Sequence, residues 1–263
     1  MFDAVRLSLS WMTVLPVDRD GVPDAAAAGR AMTALPAVGL VCGATATALA
    51  HGAHALGAGA TLSGVVGVGA VLALTRGMHV DALADTADGL GSYAGPDRAL
   101  EIMRSGSVGP MGAAVLVLVL LAEVAALGAL VASGAWLAPV AAFVLSRCLP
   151  VVLLRRGVPA ASATGFGALV AGSQSRVAVA MTALLCAVAG AGLAGAALTA
   201  AGPADGEWWA PVAGAAAGLL AYAATAGFGR HVVRRLGGVN GDVLGAVIEA
   251  GTAAALVAAV LLA

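Results

Sequence analysis

The sequence has no lysine, little charge and few aromatic residues. All 13 of its basic side chains are arginine, only 10% of the 263 residues are charged, and 4% are aromatic. A soluble domain carries about 25% charged and 45–50% apolar residues. This chain is 61% hydrophobic with a mean hydropathy of +0.99. Water solvates such a surface poorly, so a lipid bilayer is its natural solvent. There is no long basic run, which excludes nucleic acid as an expected partner. Cysteine is scarce too. Cys42, Cys148 and Cys186 lie in apolar stretches without CxxC or Cys/His spacing, and read as small buried hydrophobes. His51 and His54, at i, i+3, make a weak metal site at most. A convincing signal peptide is also missing. The short run LSLSWMTVLPV is interrupted by Pro16 and followed by Asp18, Arg19 and Asp20, so residues 1–30 read as an amphipathic segment at the membrane surface or tucked against the bundle.

What the chain does have is alanine and glycine, repeatedly at small-xxx-small spacing that lets membrane helices approach closely. A hydrocarbon core needs about 20 apolar residues per helix. Seven stretches qualify: 31–50, 61–76, 111–132, 136–154, 177–200, 209–228 and 242–262. The expected fold is all-α, a polytopic transmembrane bundle of about seven helices. Residues 1–263 are expected to form one integral membrane domain, with 77–110 as an active-site loop on the cytoplasmic side. Arginine placement agrees with that count. Arg6, Arg19, Arg30, Arg76, Arg98, Arg104, Arg155, Arg156, Arg176, Arg230, Arg234 and Arg235 fall on alternate connections, and Arg147 lies near the same side within its span. The other connections carry none, and one holds Asp205 and Glu207. The positive-inside rule then puts the N-terminus in the cytoplasm and the C-terminus outside.

The stretch TRGMHVDALADTADGLGS places Asp81, Asp85 and Asp88 at i, i+4, i+7, within roughly 60° of one another on a helix. Like charges at this spacing repel, and a nearby bilayer raises the cost. A hard cation is the usual compensation, and Mg²⁺ commonly bridges carboxylates to a substrate phosphate. The alternative is a solvated acidic face. Next, Asp97 reads as the cap of a short helix through Arg104, in which Arg98, Glu101 and Arg104 have the spacing of plain surface ion pairs. The following SGSVGPMG opens a span with backbone N–H groups that suit phosphate. Near the C-terminus, Asp242 and Glu249 share a helical face. Asp242 also reads as a plain N-cap, whereas Glu249 lies deeper. Ser146 and Arg147 are a polar pair inside a span, and Glu123 lies mid-span without an evident role.

Taken together, HVDALADTADGL, ALEIMRSGSVGPMG, LPAVGLVCG, Ser146-Arg147 and GGVNGDVLGA resemble the cobalamin (cobamide) 5'-phosphate synthase family, adenosylcobinamide-GDP ribazoletransferase, in the right order from about residue 6 to 260. Ala82 departs from the family's usual glycine, and SATGFGALV is a loose version of its Gly-rich loop. The resemblance implies an enzyme in the plasma (inner) membrane of a bacterium, with its active site cytoplasmic. It would join the phosphocobinamide group of adenosylcobinamide-GDP to α-ribazole or its 5'-phosphate, releasing GMP and using Mg²⁺. Asp81, Asp85, Asp88 and Asp242 would hold the metal. Arg76, Arg104 and Arg147, with Ser105, Ser107 and Ser146, would hold phosphate. Asp85, Asp88 or His79 would handle the hydroxyl proton. Other cobamide-assembly enzymes are expected as membrane partners. The rivals are a CDP-alcohol phosphotransferase, whose Ala-Arg after the first Asp-Gly is missing, and an ion-coupled transporter, whose inverted repeat is missing.

Overall fold

Apolar stretches rich in alanine and leucine satisfy their backbone polar groups internally as helices, as lipid demands. The computed structural model describes residues 2–17, 23–201 and 209–262, with the side chains of 196–201 left aside. Arg19, Asp205 and Glu207 therefore lie outside the described residues. The helices are α1 (Phe2–Met12), α2 (Ala25–Thr33), α3 (Leu35–Ala55), α4 (Ala60–Thr75), α5 (Met78–Gly91) and α6 (Pro96–Met103). They continue with α7 (Pro110–Ala132), α8 (Leu137–Leu153), α9 (Phe166–Val170), α10 (Arg176–Ala201), α11 (Ala210–Leu236) and α12 (Gly241–Leu262). Among the described residues there is no strand. Isolated bridges pair Arg155 with Gln174 and Ala160 with Val239.

Each of the seven expected stretches coincides with a helix, but length and hydropathy divide them. Five are long and apolar enough to cross a membrane, namely α3, α7, α10, α11 and α12. A sixth is counted if α4 and α5 form one span bent by 88°, and α8 falls short. The shortfall of α8 is one of length alone, at 17 residues. It sits in the middle against α3, α10, α12 and α11, and nearly every residue from Phe143 to Leu153 is buried. α4 meets α7 through glycine: a Cβ on Gly64 would strike the Val124 carbonyl, the close approach that small residues permit.

The N-terminal segment is tucked against the bundle. Leu7, Ser8 and Met12 of α1 are buried, and the Val14 N–H donates to the Leu74 carbonyl at 2.8 Å. The stretch expected as a loop at 77–110 is largely helical, formed by α5 and α6. At one end of the bundle, Gln174 donates to the Gly29 carbonyl at 2.8 Å and its amide oxygen accepts from Thr33 at 2.7 Å. These bonds tie the 155–175 connection to α2. At the other end His51 stacks on Trp136, with ring centroids 3.7 Å apart and planes within 8°.

Candidate active site

The site begins with a turn. Arg76 and Gly77 both adopt left-handed backbone, with φ of 57° and 64°. That ends α4 and swings α5 away by 88°. For a non-glycine residue this conformation costs roughly 1–2 kcal/mol, strain of the kind that collects at functional sites. α5 then packs against α12 and α7 with its acidic stripe toward one side. Asp81 is exposed, and Asp85 and Asp88 are half-buried.

Asp242 arrives from α12. It is not the helix cap, because Asn240 takes that place. The Asn240 Oδ1 accepts from the Val243 N–H at 2.9 Å, and its Nδ2 donates to Asp242 Oδ2 at 3.1 Å. Asp242 occupies the first turn, where the helix dipole favours a negative charge. Asp85 lies within electrostatic reach of Asp81, Asp242 and Asp88, and Asp242 within reach of Asp81 and Arg104. α5 and α12, far apart in sequence, thus place Asp81, Asp85 and Asp242 within electrostatic reach of one another, and the end of α6 adds Arg104. Among the described residues none of the four aspartates is ion-paired; the pair formed nearby is Arg98–Glu101, exposed, at 2.6 Å. Neighbouring carboxylates resist simultaneous ionisation unless a cation or a proton relieves them.

Asp88 differs from the rest. Its Oδ2 accepts from the Gly109 N–H at 2.7 Å and its Oδ1 from the Gly112 N–H at 2.9 Å. Two of the N–H groups at the start of α7, expected to face phosphate, are therefore taken by a carboxylate from α5. The physics is the one expected, an anion at a helix N-terminus, but the anion is part of the chain. Glycine is required here. A Cβ on Gly112 would collide with Asp88 Oδ2 and approach the Ala84 carbonyl within 2.8 Å. Of the other phosphate candidates, Arg76, Arg104, Ser105 and Ser107 are exposed, with the two serine hydroxyls 3.1 Å apart.

His79, Ser146 and Arg147 lie elsewhere. His79 is 4% exposed and, two residues before Asp81, projects from roughly the opposite side of α5. Neither ring nitrogen has a partner among the described residues. Arg147 is 1% exposed. It donates to Ser146 Oγ at 2.8 Å and Thr252 Oγ1 at 2.7 Å, and its guanidinium sits 5.0 Å from the Phe143 ring centroid. Glu123, Glu249 and His79 fall within its electrostatic reach. This is a second, enclosed polar cluster inside the bundle. It gives Glu123 and Glu249 a common neighbour, and it includes Thr252, which sequence reading passed over because threonine is unremarkable in a span.

Among the described residues no three His, Cys, Asp or Glu side chains are drawn together as a metal cage. The donor set of hard carboxylate oxygens still suits Mg²⁺, which is usually held by one or two carboxylates, waters and a substrate phosphate rather than by an all-protein cage. Behind α5 lies an apolar cavity of about 570 Å³, lined by Leu83, Thr86, Leu90, Gly218, Phe228 and Val247 among others. The α5 residues lining it project from the side opposite the aspartates, so this cavity is not where the carboxylates meet.

Comparison with known proteins adds to this geometry. Residues 4–260 match the family described as cobalamin-5-phosphate synthase. An adenosylcobinamide-GDP ribazoletransferase of Corynebacterium efficiens is 40% identical over 250 residues, covering 94% of this chain and 87% of the relative. One from Frankia casuarinae is 36% identical over 264 residues, covering 95% and 92%, and one from a Nocardioides species is 35% identical over 258 residues, covering 98% of each. No solved structure matches the chain.

Proposed function

Because the chain belongs to the cobalamin-5-phosphate synthase family, we propose that it transfers the phosphocobinamide group of adenosylcobinamide-GDP to α-ribazole or α-ribazole 5'-phosphate, giving adenosylcobalamin or its 5'-phosphate and GMP. The observation that carries this reading is the meeting of Asp81, Asp85 and Asp242 beside Arg104. The reaction needs such a group. A ribose hydroxyl attacks the phosphate attached to cobinamide, the bond to GMP breaks, and the site must place both partners, offset charge and accept a proton.

Asp81 and Asp242 would hold Mg²⁺ together with substrate phosphate and water, and the metal would offset the charge of the pyrophosphate. Asp85 takes the hydroxyl proton. Partial burial and the three carboxylates around it favour a proton there, as a general base requires. Arg104 and Arg76, exposed at the same end, steer and clamp phosphate. Asp88 holds α7 against α5 and so fixes the wall of the site.

In this reading α3, α4, α7, α8, α10, α11 and α12 are seven spans of the plasma membrane, with α5 and α6 at the cytoplasmic edge among the arginine-bearing connections. A reporter fused after Ala263 should score as extracytoplasmic, and a cytoplasmic result would overturn the arrangement. Other cobamide-assembly enzymes should co-purify from mildly solubilised membranes; recovery of the chain alone would count against that association. The activity is tested by incubating the purified protein with adenosylcobinamide-GDP, α-ribazole 5'-phosphate and Mg²⁺. Stoichiometric GMP and adenosylcobalamin 5'-phosphate are expected, and their absence would sink the proposal.

A further inference from the structure

Tyr93 stands two residues beyond α5, in the connection to α6. It combines three properties that a structural tyrosine seldom has together. Its backbone is left-handed, with φ of 55°, a conformation that disfavours a bulky side chain. Its side chain is 86% exposed. One face of its ring is approached by the guanidinium of Arg235, 5.9 Å from the centroid. Arg235 comes from the end of α11, far away in sequence, so the fold itself assembles the pair, and α11 packs against α6 beside it. The backbone around Tyr93 is fixed by local bonds. The Ser92 hydroxyl donates to the Gly89 carbonyl at 2.7 Å, and the Ala94 N–H donates to Ser92 Oγ at 3.2 Å. A strained, held, exposed aromatic ring with a cation behind it presents its other face as a flat platform.

The geometry points to Tyr93, backed by Arg235, as the ledge on which the purine base of the nucleoside diphosphate group stacks. This rests on the activity proposed above and extends it from the reacting phosphates to the nucleotide. The placement fits. α5 runs six residues past Asp85 to Gly91, about 9 Å along its axis, and Tyr93 follows two residues later, a separation of the order of that between a nucleobase and its own diphosphate. The chemistry fits as well. Base–aromatic stacking needs an open π-face, and an arginine on the same platform adds a cation–π contribution. Arg230 and Arg234, exposed near the end of α11, add positive charge on the helix that carries Arg235, which draws a nucleotide in.

The test uses the full chain in detergent with Mg²⁺ and measures GMP affinity by calorimetry, alongside KM and kcat for adenosylcobinamide-GDP. Tyr93→Ala should weaken GMP binding about tenfold or more and raise KM with a smaller change in kcat. Tyr93→Phe, which keeps the ring, should stay within about threefold of the parent by the same stacking scale. Arg98→Ala removes an exposed arginine paired with Glu101 and should leave GMP affinity unchanged. If the parent binds GMP and turns over while Tyr93→Ala binds GMP equally well, the ledge is refuted and Tyr93 is only an interfacial anchor. If the parent neither binds nor releases GMP, the proposed activity fails and the ledge with it.

Discussion

Removing the Asp88 carboxylate should loosen the bundle, whereas removing Asp85 should not. The two residues share one stripe of α5, but Asp88 accepts two backbone N–H bonds from the start of α7 at 2.7 and 2.9 Å. Hydrogen bonds to a charged group contribute about 1.5–3 kcal/mol each, and loss of a helix cap costs about 0.5–2 kcal/mol. The two bonds share one carboxylate and are not additive, so Asp88→Ala should cost about 2–4 kcal/mol. In a chain of this size that lowers Tm by about 5–10 °C. Asp85→Ala relieves repulsion from Asp81, Asp242 and Asp88 and should leave Tm unchanged or slightly higher. Thermal unfolding of the two variants in one detergent, without substrate or Mg²⁺, makes the comparison. Hydrogen exchange adds a local readout: the amides of Gly109 and Gly112 should lose protection in Asp88→Ala alone. An unchanged Tm for Asp88→Ala, or an equal loss for Asp85→Ala, would refute the division of labour along the stripe.

Other perturbations should follow the same contacts. Gly112→Ala places a methyl against Asp88 and the Ala84 carbonyl, and overpacking of this kind costs about 1–3 kcal/mol; it should lower Tm and slow turnover together. Arg147→Met removes two charged hydrogen bonds, to Ser146 and Thr252, although the two hydroxyls keep their bond to each other, and it takes the cation away from buried Glu123 and Glu249. A loss of about 1.5–3 kcal/mol is expected, visible as a smaller monodisperse fraction in size-exclusion chromatography, and normal yield would argue against the cluster. Gln174→Leu removes the amide that joins Gly29 and Thr33. About 1–3 kcal/mol should be lost, read as a lower Tm with unaltered affinity for GMP.

The helices were legible because lipid imposes length and hydropathy on every span, and all seven expected stretches are helical. The bent pair was not. The apolar run of α4 gives no sign that Arg76 and Gly77 will both turn left-handed, since arginine has no preference for that region. The acidic stripe could be read from i, i+4, i+7 spacing. The same spacing already places His79, two residues before Asp81, away from it, so the structure sharpened a point the sequence contained. The partnership of Asp88 with Gly109 and Gly112 was hidden, because the glycines advertise an anion site without saying which anion fills it. Asn240 as the α12 cap was overlooked beside the more conspicuous Asp242. The meeting of Arg235 with Tyr93 depends on how α11 packs against α6, a long-range contact that local patterns do not encode.

The central claim is that the carboxylates gathered from α5 and α12 are the reacting centre of a ribazole transferase. The most direct measurement is GMP release from adenosylcobinamide-GDP and α-ribazole 5'-phosphate, comparing the parent chain with Asp85→Asn at matched Tm. The parent should release GMP and the variant should lose at least about a hundredfold of that rate, the usual scale for removing a general base. Near-parental GMP release by Asp85→Asn would contradict the claim.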